Sequence, residues 1–338
     1  MVGTDVCLAV KNSNQIEKNV LTVGEPLVVC AHKGTESLAF DRDFRMDAAG
    51  AELNTAIALG RLNVPVAYAA AVGDDPFGEF LIRELRADSV DASRVTVTSL
   101  GTTGILFKMR SGMQSESNVY YYRSASPMAL GHWQADQCVS DVLSATFSWV
   151  HTTGIVRVLC NRTCREVDRI LQAASENGIS TSFDINVRLK MGDAALWRNN
   201  LKEVIRYTTW LFIGDTEAQL LFGTDDEAKV YEVIVSWGFV GQGLIMKRGA
   251  LGVTAYTSDG ATHVDAKLVE HVIDTVGAGD GFNAGFIAGL VRGESLQTAL
   301  TLGTLIGAYA VTSAGDSSGY PSFSEVQRHV TGQREVQR

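Results

Sequence analysis

Apolar and polar positions alternate in two different ways along this chain. From about residue 146 onward, short apolar runs are separated by longer amphipathic segments. The first run, FSWVHTTG at 147–154, is typical of a buried strand, and the segment after it places Val167, Ile170 and Leu171 on one face of a helix. The same alternation continues to GLIMKRG at 243–249. Repeated strand and helix units predict a mainly parallel sheet that is covered by helices on both faces.

The pattern before residue 130 is different. Two β-rich runs, TTGILFKMR (102–110) and NVYYYR (118–123), are separated only by a polar turn region, SGMQSES, which predicts a hairpin. A further short strand is predicted for AFDRDFRM at 39–46, and an α/β stretch at 47–73 lies between these pieces. We therefore expect a small β-sheet that projects from the main domain as a lid.

No repeat, low-complexity tract or long Gly, Pro or Ser linker divides the chain. One domain with a lid is therefore favoured over two separable domains. We place this domain at 20–330 and its lid strands at about 32–48 and 100–125. Residues 1–19 are an N-terminal extension to which the sequence assigns no role.

The charge balance argues against binding to nucleic acid or to an anionic membrane. The 338 residues include 29 Lys and Arg against 38 Asp and Glu, for a formal net charge of -9, and no basic tract is present. No apolar run approaches the roughly 20 residues of a membrane span, and the first residues lack the pattern of a signal peptide. The five scattered cysteines, an odd number, are typical of reduced thiols. We expect a cytoplasmic protein with small-molecule partners.

The stretch VIDTVGAGDGFNAGFIAGL (272–290) concentrates glycine around one acid. Its apolar residues follow helical spacing from Phe282 onward, and we expect a strand immediately before the glycines. Gly277, Ala278 and Gly279 then lie at the N-terminus of the helix. The first amides of a helix lack intrahelical partners and carry the positive end of the helix dipole, so small residues there predict an anion site.

Asp280 follows these glycines, and a fixed carboxylate beside a phosphate would repel it. The arrangement is explained if Asp280 is a general base that accepts a hydroxyl proton while the amides stabilise a transferring phosphoryl group. Gly281, Gly285 and Gly289 recur at every fourth position, which favours close helix packing. The residues alone leave open a second interpretation, a tightly packed helix whose acid merely favours the dipole. No G-x-G-x-x-G fingerprint is present here, and GDDPFGE (73–79) lacks the Lys and Ser or Thr of a Walker loop.

The segment DTVGAGDGFNAGF (274–286) resembles the second signature of the ribokinase-like (PfkB) sugar kinases, D-T-x-G-A-G-D-x-F. The resemblance extends over roughly 20–322 through AVGDDPFGEFL and, in the family's order, GAELN, YYYR, DINVR and MKRGALGV. It implies a ribokinase-like three-layer α/β sandwich with a mainly parallel central sheet and a small β-sheet lid. It also implies an ATP-dependent carbohydrate kinase whose catalytic base is Asp280 and whose anion hole is formed by the amides of Gly277, Ala278 and Gly279.

Within that family the chain most resembles the 2-keto-3-deoxygluconate kinases. The resemblance implies that the sugar acid is contacted by Gly50, Ala51, Asn54, Tyr121, Arg123, Arg188 and Asp280. Alternation along a strand places Tyr121 and Arg123 on one face. Two arginines suit a carboxylate, because a planar guanidinium binds it bidentately and a neutral sugar has no use for two of them.

Each of these sugar-site assignments has an alternative in the residues themselves. Arg123 ends a strand, where a solvated edge position is the alternative. Arg188 could pair instead with Asp184 or Asp193. Asn54 falls one turn into a predicted helix, where an ordinary polar surface position is the alternative.

The resemblance also implies sites for the nucleotide and for metal ions. The ATP-binding residues that it implies are Lys247, Gly249, Gly252, Gly277, Gly279 and Asn283. Magnesium is implied with an indirect role for Glu217, and a monovalent cation such as K⁺ is implied at Asp274, Val276 and the loop at 314–319. The chain departs from the family at Ala49-Gly50, where many members have two glycines. It departs again at Gly214-Asp215-Thr216-Glu217, which retains only the acid of the usual N-x-x-E motif.

The function expected from these residues is ATP-dependent phosphorylation of the primary hydroxyl of 2-keto-3-deoxygluconate. The alternatives are a fructokinase or ribokinase acting on a neutral sugar, and a non-catalytic sugar or nucleotide sensor on the same fold. An intact Asp280 argues against the sensor. Exposed edges of the lid sheet, together with the family pattern, lead us to expect a homodimer or higher homo-oligomer.

Overall fold

Two β-sheets organise the part of the chain that the computed structural model describes, which covers residues 19–34, 38–109 and 118–331. Within these ranges the strands, in chain order, are β1 (Val20–Val23), β2 (Leu27–His32), β3 (Phe44–Ala49), β4 (Val66–Gly73), β5 (Val90–Thr98), β6 (Gly104–Met109), β7 (Asn118–Tyr122), β8 (Trp149–Thr153), β9 (Ser180–Asp184), β10 (Trp210–Gly214), β11 (Gly243–Lys247), β12 (Val253–Thr257) and β13 (Gly260–Val264). The helices are α1 (Ala51–Arg61), α2 (Pro76–Ala87), α3 (Pro127–Leu130), α4 (Asp136–Leu143), α5 (Gly154–Arg157), α6 (Asn161–Glu176), α7 (Ala194–Val204), α8 (Asp215–Phe222), α9 (Glu227–Ser236), α10 (Ala278–Val291), α11 (Leu296–Ala310) and α12 (Phe323–Thr331).

The larger sheet is mainly parallel, as the alternation of strands and helices predicts. Its nine strands have the order β13-β12-β11-β10-β9-β8-β1-β4-β5. Every neighbouring pair from β11 to β5 is parallel, and the two pairs at one edge, β11 with β12 and β12 with β13, are antiparallel. Strands with apolar residues at nearly every position are buried on both faces; β4, VAYAAAVG, is buried throughout.

Helices cover both faces of this sheet and give three layers. One core contains apolar side chains of α1, α2, α10, α11 and α12, such as Leu53 and Phe286. The core on the opposite face contains those of α3 to α9, such as Ile170 and Trp197. The predicted three-layer sandwich is confirmed. Within the described ranges, no helix is long and apolar enough to cross a membrane.

The smaller sheet has the strand order β3-β2-β6-β7, and β6 and β7 pair as the antiparallel hairpin that the sequence predicts. The turn between them, at 110–117, lies outside the described residues. The strand expected at 39–46 instead runs from Phe44 to Ala49. The carboxylate of Asp41 accepts a hydrogen bond from the Asp43 amide at 3.0 Å, a local turn that competes with strand pairing.

The glycines of α10 explain its contact with α11. A methyl group built on Gly285 would lie 2.7 Å from the Leu302 carbonyl oxygen, and one on Gly289 would lie 2.7 Å from the Ala299 Cα. The two helices can therefore approach closely only because these positions lack side chains. The strand expected immediately before the glycine-rich stretch is absent from the described residues at 265–277. Val272 and Ile273, the apolar residues that suggested it, are 60% and 54% exposed and pair with no strand of either sheet among the described residues.

Candidate active site

The N-terminus of α10 lies at the bottom of a cleft between the two sheets. Gly277 precedes the helix with φ 81°, a left-handed conformation that favours glycine. A methyl group there would also lie 1.9 Å from the Asp316 carbonyl oxygen. The Tyr320 hydroxyl donates to the Gly277 carbonyl at 2.7 Å and holds the turn in place. The helix begins at Ala278, so its positive end faces the cleft, as an anion site requires.

Asp280 lines a cavity of about 690 Å³ that we call the polar cavity. The Asn54 side-chain amide donates to the Asp280 carboxylate at 2.8 Å. Burial raises the pKa of Asp280 to about 7, and the nearby Asp184 acts in the same direction, whereas Asn54, Lys247 and the more distant Arg188 oppose the rise. A carboxyl group whose pKa lies close to neutral pH is suited to accept a proton from an alcohol.

Behind Asp280, the ends of two parallel strands supply an ion pair. The Lys247 ammonium, at the end of β11, lies 2.6 Å from the carboxylate of Asp184, at the end of β9. The Asn283 amide donates to the same carboxylate at 2.7 Å. Asn283 is fully buried, so the structure brings it to this pair instead of to the wall of either cavity described here. The sequence analysis considered Asp184 only as a partner for Arg188. Its position at the carboxyl end of a buried parallel strand, where ligands of such sheets bind, could have identified Asp184 as a site residue.

Glu217 uses both carboxylate oxygens to hold backbone. It accepts from the Gly214 amide at 2.8 Å, which caps the start of α8, and from the Val187 amide at 2.6 Å. Burial raises the pKa of Glu217, and the charge of Asp184 adds to the rise. In this geometry Glu217 fixes the segment that carries Arg188, and any contact with a metal ion would pass through water.

The Ala-Gly-Ala segment at 49–51 forms one wall of the polar cavity. Gly50 has φ 134°, and a methyl group on it would lie 2.7 Å from the Glu25 carbonyl oxygen, so the chain needs glycine here. Ala49 and Ala51 both line the cavity. Asn54 is 2% exposed, which excludes the surface alternative.

The second sheet contributes Tyr121 and Arg123 to the opposite wall. The Arg123 guanidinium lies 5.7 Å from the centre of the Tyr121 ring, so the two share a face as strand alternation predicts. Arg123 is not a solvated edge residue, because its side chain is 12% exposed and forms an ion pair with the buried Glu25. Ser126 also donates to Glu25. Burial raises the pKa of Glu25, and Arg123 opposes the rise.

Arg188 differs from Arg123 because its charge is not paired. It is exposed at the rim of the polar cavity, and its guanidinium donates to the Val187 carbonyl at 3.0 Å. Among the residues that the structure describes, no ion pair joins Arg188 to Asp184 or Asp193. The polar cavity therefore has one compensated guanidinium, that of Arg123, and one at Arg188 that is open to an anion.

A further buried acid lies in the same wall. Glu52 is 1% exposed and accepts a hydrogen bond from the Thr153 hydroxyl at 2.6 Å. Burial raises the pKa of Glu52 to about 7, with Asp280 adding to the rise. Sequence analysis did not select Glu52, because an acid in the first turn of a helix is an ordinary feature.

A second cavity of about 480 Å³ meets the polar cavity at Lys247, Thr275 and Gly279. We call it the apolar cavity because its lining is mostly hydrophobic; the lining includes Gly249, Gly252, Val253, Leu268, Phe282 and Val311. A methyl group on Gly252 would lie 2.1 Å from the Val264 carbonyl oxygen, so the turn after β11 also depends on glycine. An elongated ligand with an apolar end and a phosphate chain would fit across the junction at α10.

The residues expected to bind a monovalent cation lie beside the anion hole but do not all line one cavity. Asp274 and Asp316 line a cavity of about 160 Å³, and a lysine of the second sheet, Lys108, lies between them. Val276 faces the polar cavity. Within the described ranges, no group of three or more His, Cys, Asp or Glu side chains is arranged to hold a metal ion.

Comparison with known proteins identifies relatives along nearly the whole chain. The sequence profile of the pfkB family of carbohydrate kinases matches residues 17–322. A 2-dehydro-3-deoxygluconokinase of Bacillus subtilis is 29% identical, with 94% of this chain and 97% of the relative covered. A 2-dehydro-3-deoxygluconokinase of Thermoproteus tenax is 30% identical, with 91% and 93% covered.

Solved structures show the same fold. A PfkB protein from Polaromonas sp. JS666 superimposes with a TM-score of 0.80 at 27% identity and covers 92% of this chain and 99% of its own. A protein assigned as a ribokinase II from E. coli, in complex with ATP and Mg²⁺, superimposes with a TM-score of 0.81 at 26% identity and covers 94% and 100%.

Proposed function

The chain belongs to the pfkB family of carbohydrate kinases, and we propose that it transfers the γ-phosphoryl group of ATP to the primary hydroxyl of 2-keto-3-deoxygluconate. The product is the 6-phosphate. One observation carries the proposal: Asp280 lines the polar cavity at the positive end of α10, and the residue before it, Gly279, lies where the polar and apolar cavities meet. The names of the relatives, 2-dehydro-3-deoxygluconokinase, support the same sugar acid.

In the proposed reaction, Asp280 accepts the proton of the sugar hydroxyl as the oxygen attacks the γ-phosphorus. The bond from the γ-phosphorus to the bridging oxygen of ADP breaks, and the amides of Gly277 to Gly279 stabilise the transferred group. Lys247 lies beside Gly279, since a methyl group on that glycine would be 3.4 Å from the Lys247 ammonium. The ammonium can therefore reach phosphate oxygens while it remains near Asp184.

Magnesium would accompany the nucleotide. Asp184 and Glu217 are acids near the anion hole, and both are held by hydrogen bonds, which fits an ion bound mainly through water and phosphate oxygens. When it is bound, the ion supplies positive charge to the phosphates. The apolar cavity, with Gly249 and Gly252 in its wall, is the proposed site of the nucleoside.

The polar cavity favours an acid sugar over a neutral one. Arg188 presents an unpaired guanidinium at its rim, and a carboxylate can accept two hydrogen bonds from such a group. Arg123 plays a different part from the one expected, because Glu25 already neutralises its charge. We propose that Arg188 and Tyr121 meet the substrate carboxylate and that Arg123 mainly orders the wall behind them.

The test is ADP release with magnesium and ATP on 2-keto-3-deoxygluconate, fructose, ribose and no sugar. We expect strong preference for the sugar acid, and Arg188→Gln should raise its KM by at least about tenfold, the loss of a charged hydrogen bond. Lys190→Gln is the matched control, since Lys190 is an exposed cation two residues away whose ammonium donates to the Val119 carbonyl at 2.8 Å. Preference for a neutral sugar would contradict the substrate assignment, and the absence of any sugar-dependent signal would favour a sensor.

We also propose that the protein assembles as a homodimer through its second sheet. The outer face of that sheet exposes Tyr120, Tyr122 and Met46, which are 54%, 67% and 44% exposed. Apolar exposure of this kind, beside the edge strand β7, is suited to burial against a second copy. Light scattering on the purified protein should give twice the mass of one chain, and Tyr122→Glu should give the mass of one. A monomeric mass for the unmodified protein would contradict the proposal.

A further inference from the structure

Lys108 places a buried positive charge beside the anion hole, where it lines both the polar cavity and the small cavity of about 160 Å³. It belongs to β6 of the second sheet, and its side chain is 8% exposed. Its ammonium lies 2.5 Å from the carboxylate of Asp274 and 3.8 Å from that of Asp316. A lysine buried to this extent requires charged partners, because an isolated ammonium is costly to remove from water.

The two partners of Lys108 hold the backbone that forms the anion hole. The second carboxylate oxygen of Asp274 accepts from the Val276 amide at 3.2 Å, one residue before Gly277. The backbone of Asp316 packs against Gly277 so closely that only glycine fits. Without a cation, two carboxylates would lie behind a site that must attract phosphate. Lys108 removes part of this repulsion and links both loops to the second sheet.

These residues do not fit a metal cation while Lys108 is in place. A monovalent ion held by the carboxylates of Asp274 and Asp316 would compete with the ammonium, which already lies against one oxygen of each. It would also lie beside a buried charge of the same sign, which is unfavourable at short range in a site of low dielectric constant. Burial raises the pKa of Asp316 to about 6; the charge of Lys108 opposes this rise, Asp274 and Asp47 add to it, and Arg188 opposes it.

We infer that the Lys108 ammonium is the permanent cation beside the loops that form the anion hole. Catalysis by this protein then does not depend on an added monovalent cation such as K⁺. The inference rests on the proposed phosphoryl-transfer site and not on the identity of the sugar. Lys108 does not touch the reacting atoms and is therefore a positioning residue. Its removal should leave a small cavity lined by the carboxylates of Asp47, Asp274 and Asp316, which is a site that a free cation can fill.

The experiment compares the unmodified protein, Lys108→Ala and Lys33→Ala in choline chloride and in KCl at matched ionic strength. Lys33 is the control because it is an exposed lysine that lines the same small cavity. The first readout is the thermal unfolding midpoint with and without MgATP, which needs no sugar and therefore reports on Lys108 even if the sugar assignment fails. The second readout is sugar-dependent ADP release.

For the unmodified protein and for Lys33→Ala, we expect the same unfolding midpoint and turnover in both salts. Lys108→Ala should lose at least about tenfold in turnover in choline, less than the 10²–10³-fold loss that follows removal of a direct oxyanion donor. K⁺ should restore much of this turnover and raise the unfolding midpoint of Lys108→Ala alone, because a ligand that binds only the folded state stabilises it.

Three results would overturn the inference. The first is a saturable effect of K⁺ on the unmodified protein, which can be measured whether or not the variant folds. The second is a folded Lys108→Ala variant with full turnover in choline. The third is a folded Lys108→Ala variant that loses turnover and regains it neither with K⁺ nor with methylammonium, a small substitute for the missing ammonium. Lys108 would then act only as a link between the second sheet and the loops.

Discussion

Replacing Asp280 with Asn should abolish most activity and, at the same time, stabilise the fold above neutral pH. The substitution keeps the shape of the side chain and an oxygen that can accept the Asn54 hydrogen bond, which is 2.8 Å long in the structure. It removes the charge and the ability to accept a proton. Loss of a general base typically costs 10²–10⁴-fold in turnover, so we expect a decrease of about that size with ATP affinity nearly unchanged.

The stability gain can be worked out from the pKa of Asp280. Burial raises this pKa from 3.8 to about 7. Each pKa unit corresponds to about 1.4 kcal/mol, so the limit is about 4 kcal/mol, and partial exposure of the side chain reduces it to about 2 kcal/mol. Because the folded state holds the proton more tightly, the unmodified protein loses this stability as the pH rises from about 4 to about 7. Above that window, Asp280→Asn avoids the cost.

The assay is urea unfolding at about pH 5 and about pH 8, fitted by linear extrapolation. We expect the difference in free energy of unfolding between Asp280→Asn and the unmodified protein to increase by about 1 kcal/mol between the two pH values. Asp259→Asn is the control, since Asp259 is an exposed acid in the turn between β12 and β13. A difference that is the same at both pH values would refute the argument that Asp280 is desolvated, and full turnover in Asp280→Asn would refute its role as the base.

Three more predictions rest on single contacts. Asn54→Ala removes the hydrogen-bond donor that stabilises ionised Asp280. In a plot of kcat/KM against pH, the acid limb should therefore move to higher pH by about one unit. If the limb does not move, Asn54 would be a sugar contact only. Gly289→Ala forces a methyl group to 2.7 Å from the Ala299 Cα. It should lower the free energy of unfolding, measured with urea, by about 1–3 kcal/mol, whereas an increase would show that α10 and α11 can separate. Glu217→Gln weakens the hold on the Gly214 and Val187 amides and removes a charge near the proposed magnesium ion, so it should raise both the KM for the sugar and the magnesium concentration needed for half-maximal turnover; an unchanged magnesium requirement would remove Glu217 from the surroundings of the ion.

The fold could be predicted because its signals are local. Each parallel strand is a short apolar run followed by an amphipathic helix, so periodicity within about 15 residues was sufficient. The hairpin of the second sheet was found in the same way. The strand expected at 39–46 was misplaced because the local hydrogen bond of Asp41 to Asp43 forms a turn that the apolar spacing does not reveal.

The site was only partly predictable, because its charges are compensated over long distances in the sequence. Lys108 and Asp274 are 166 positions apart, and Ser126 and Glu25 are 101 apart. No periodic pattern reports such pairs, so each arginine and lysine could be interpreted only by residue type. Arg123 illustrates the limit, because strand alternation correctly placed its face but not Glu25, which cancels its charge.

The buried acids of the polar cavity explain why the substrate and the nucleotide would have to bind before Asp280 is in its reactive state. Burial raises the pKa of Glu52 and of Asp280 to about 7, and the charge of Asp280 adds to the rise at Glu52. In the empty cleft at neutral pH, full ionisation of both is therefore unfavourable. A bound substrate carboxylate at Arg188 would add negative charge, whereas the positive end of α10 and the Lys247 ammonium favour the ionised base. In the proposed reaction, the reactive state is one in which Asp280 is ionised, shielded from water and close to the hydroxyl, and holding it there lowers the stability of the folded protein above pH 7.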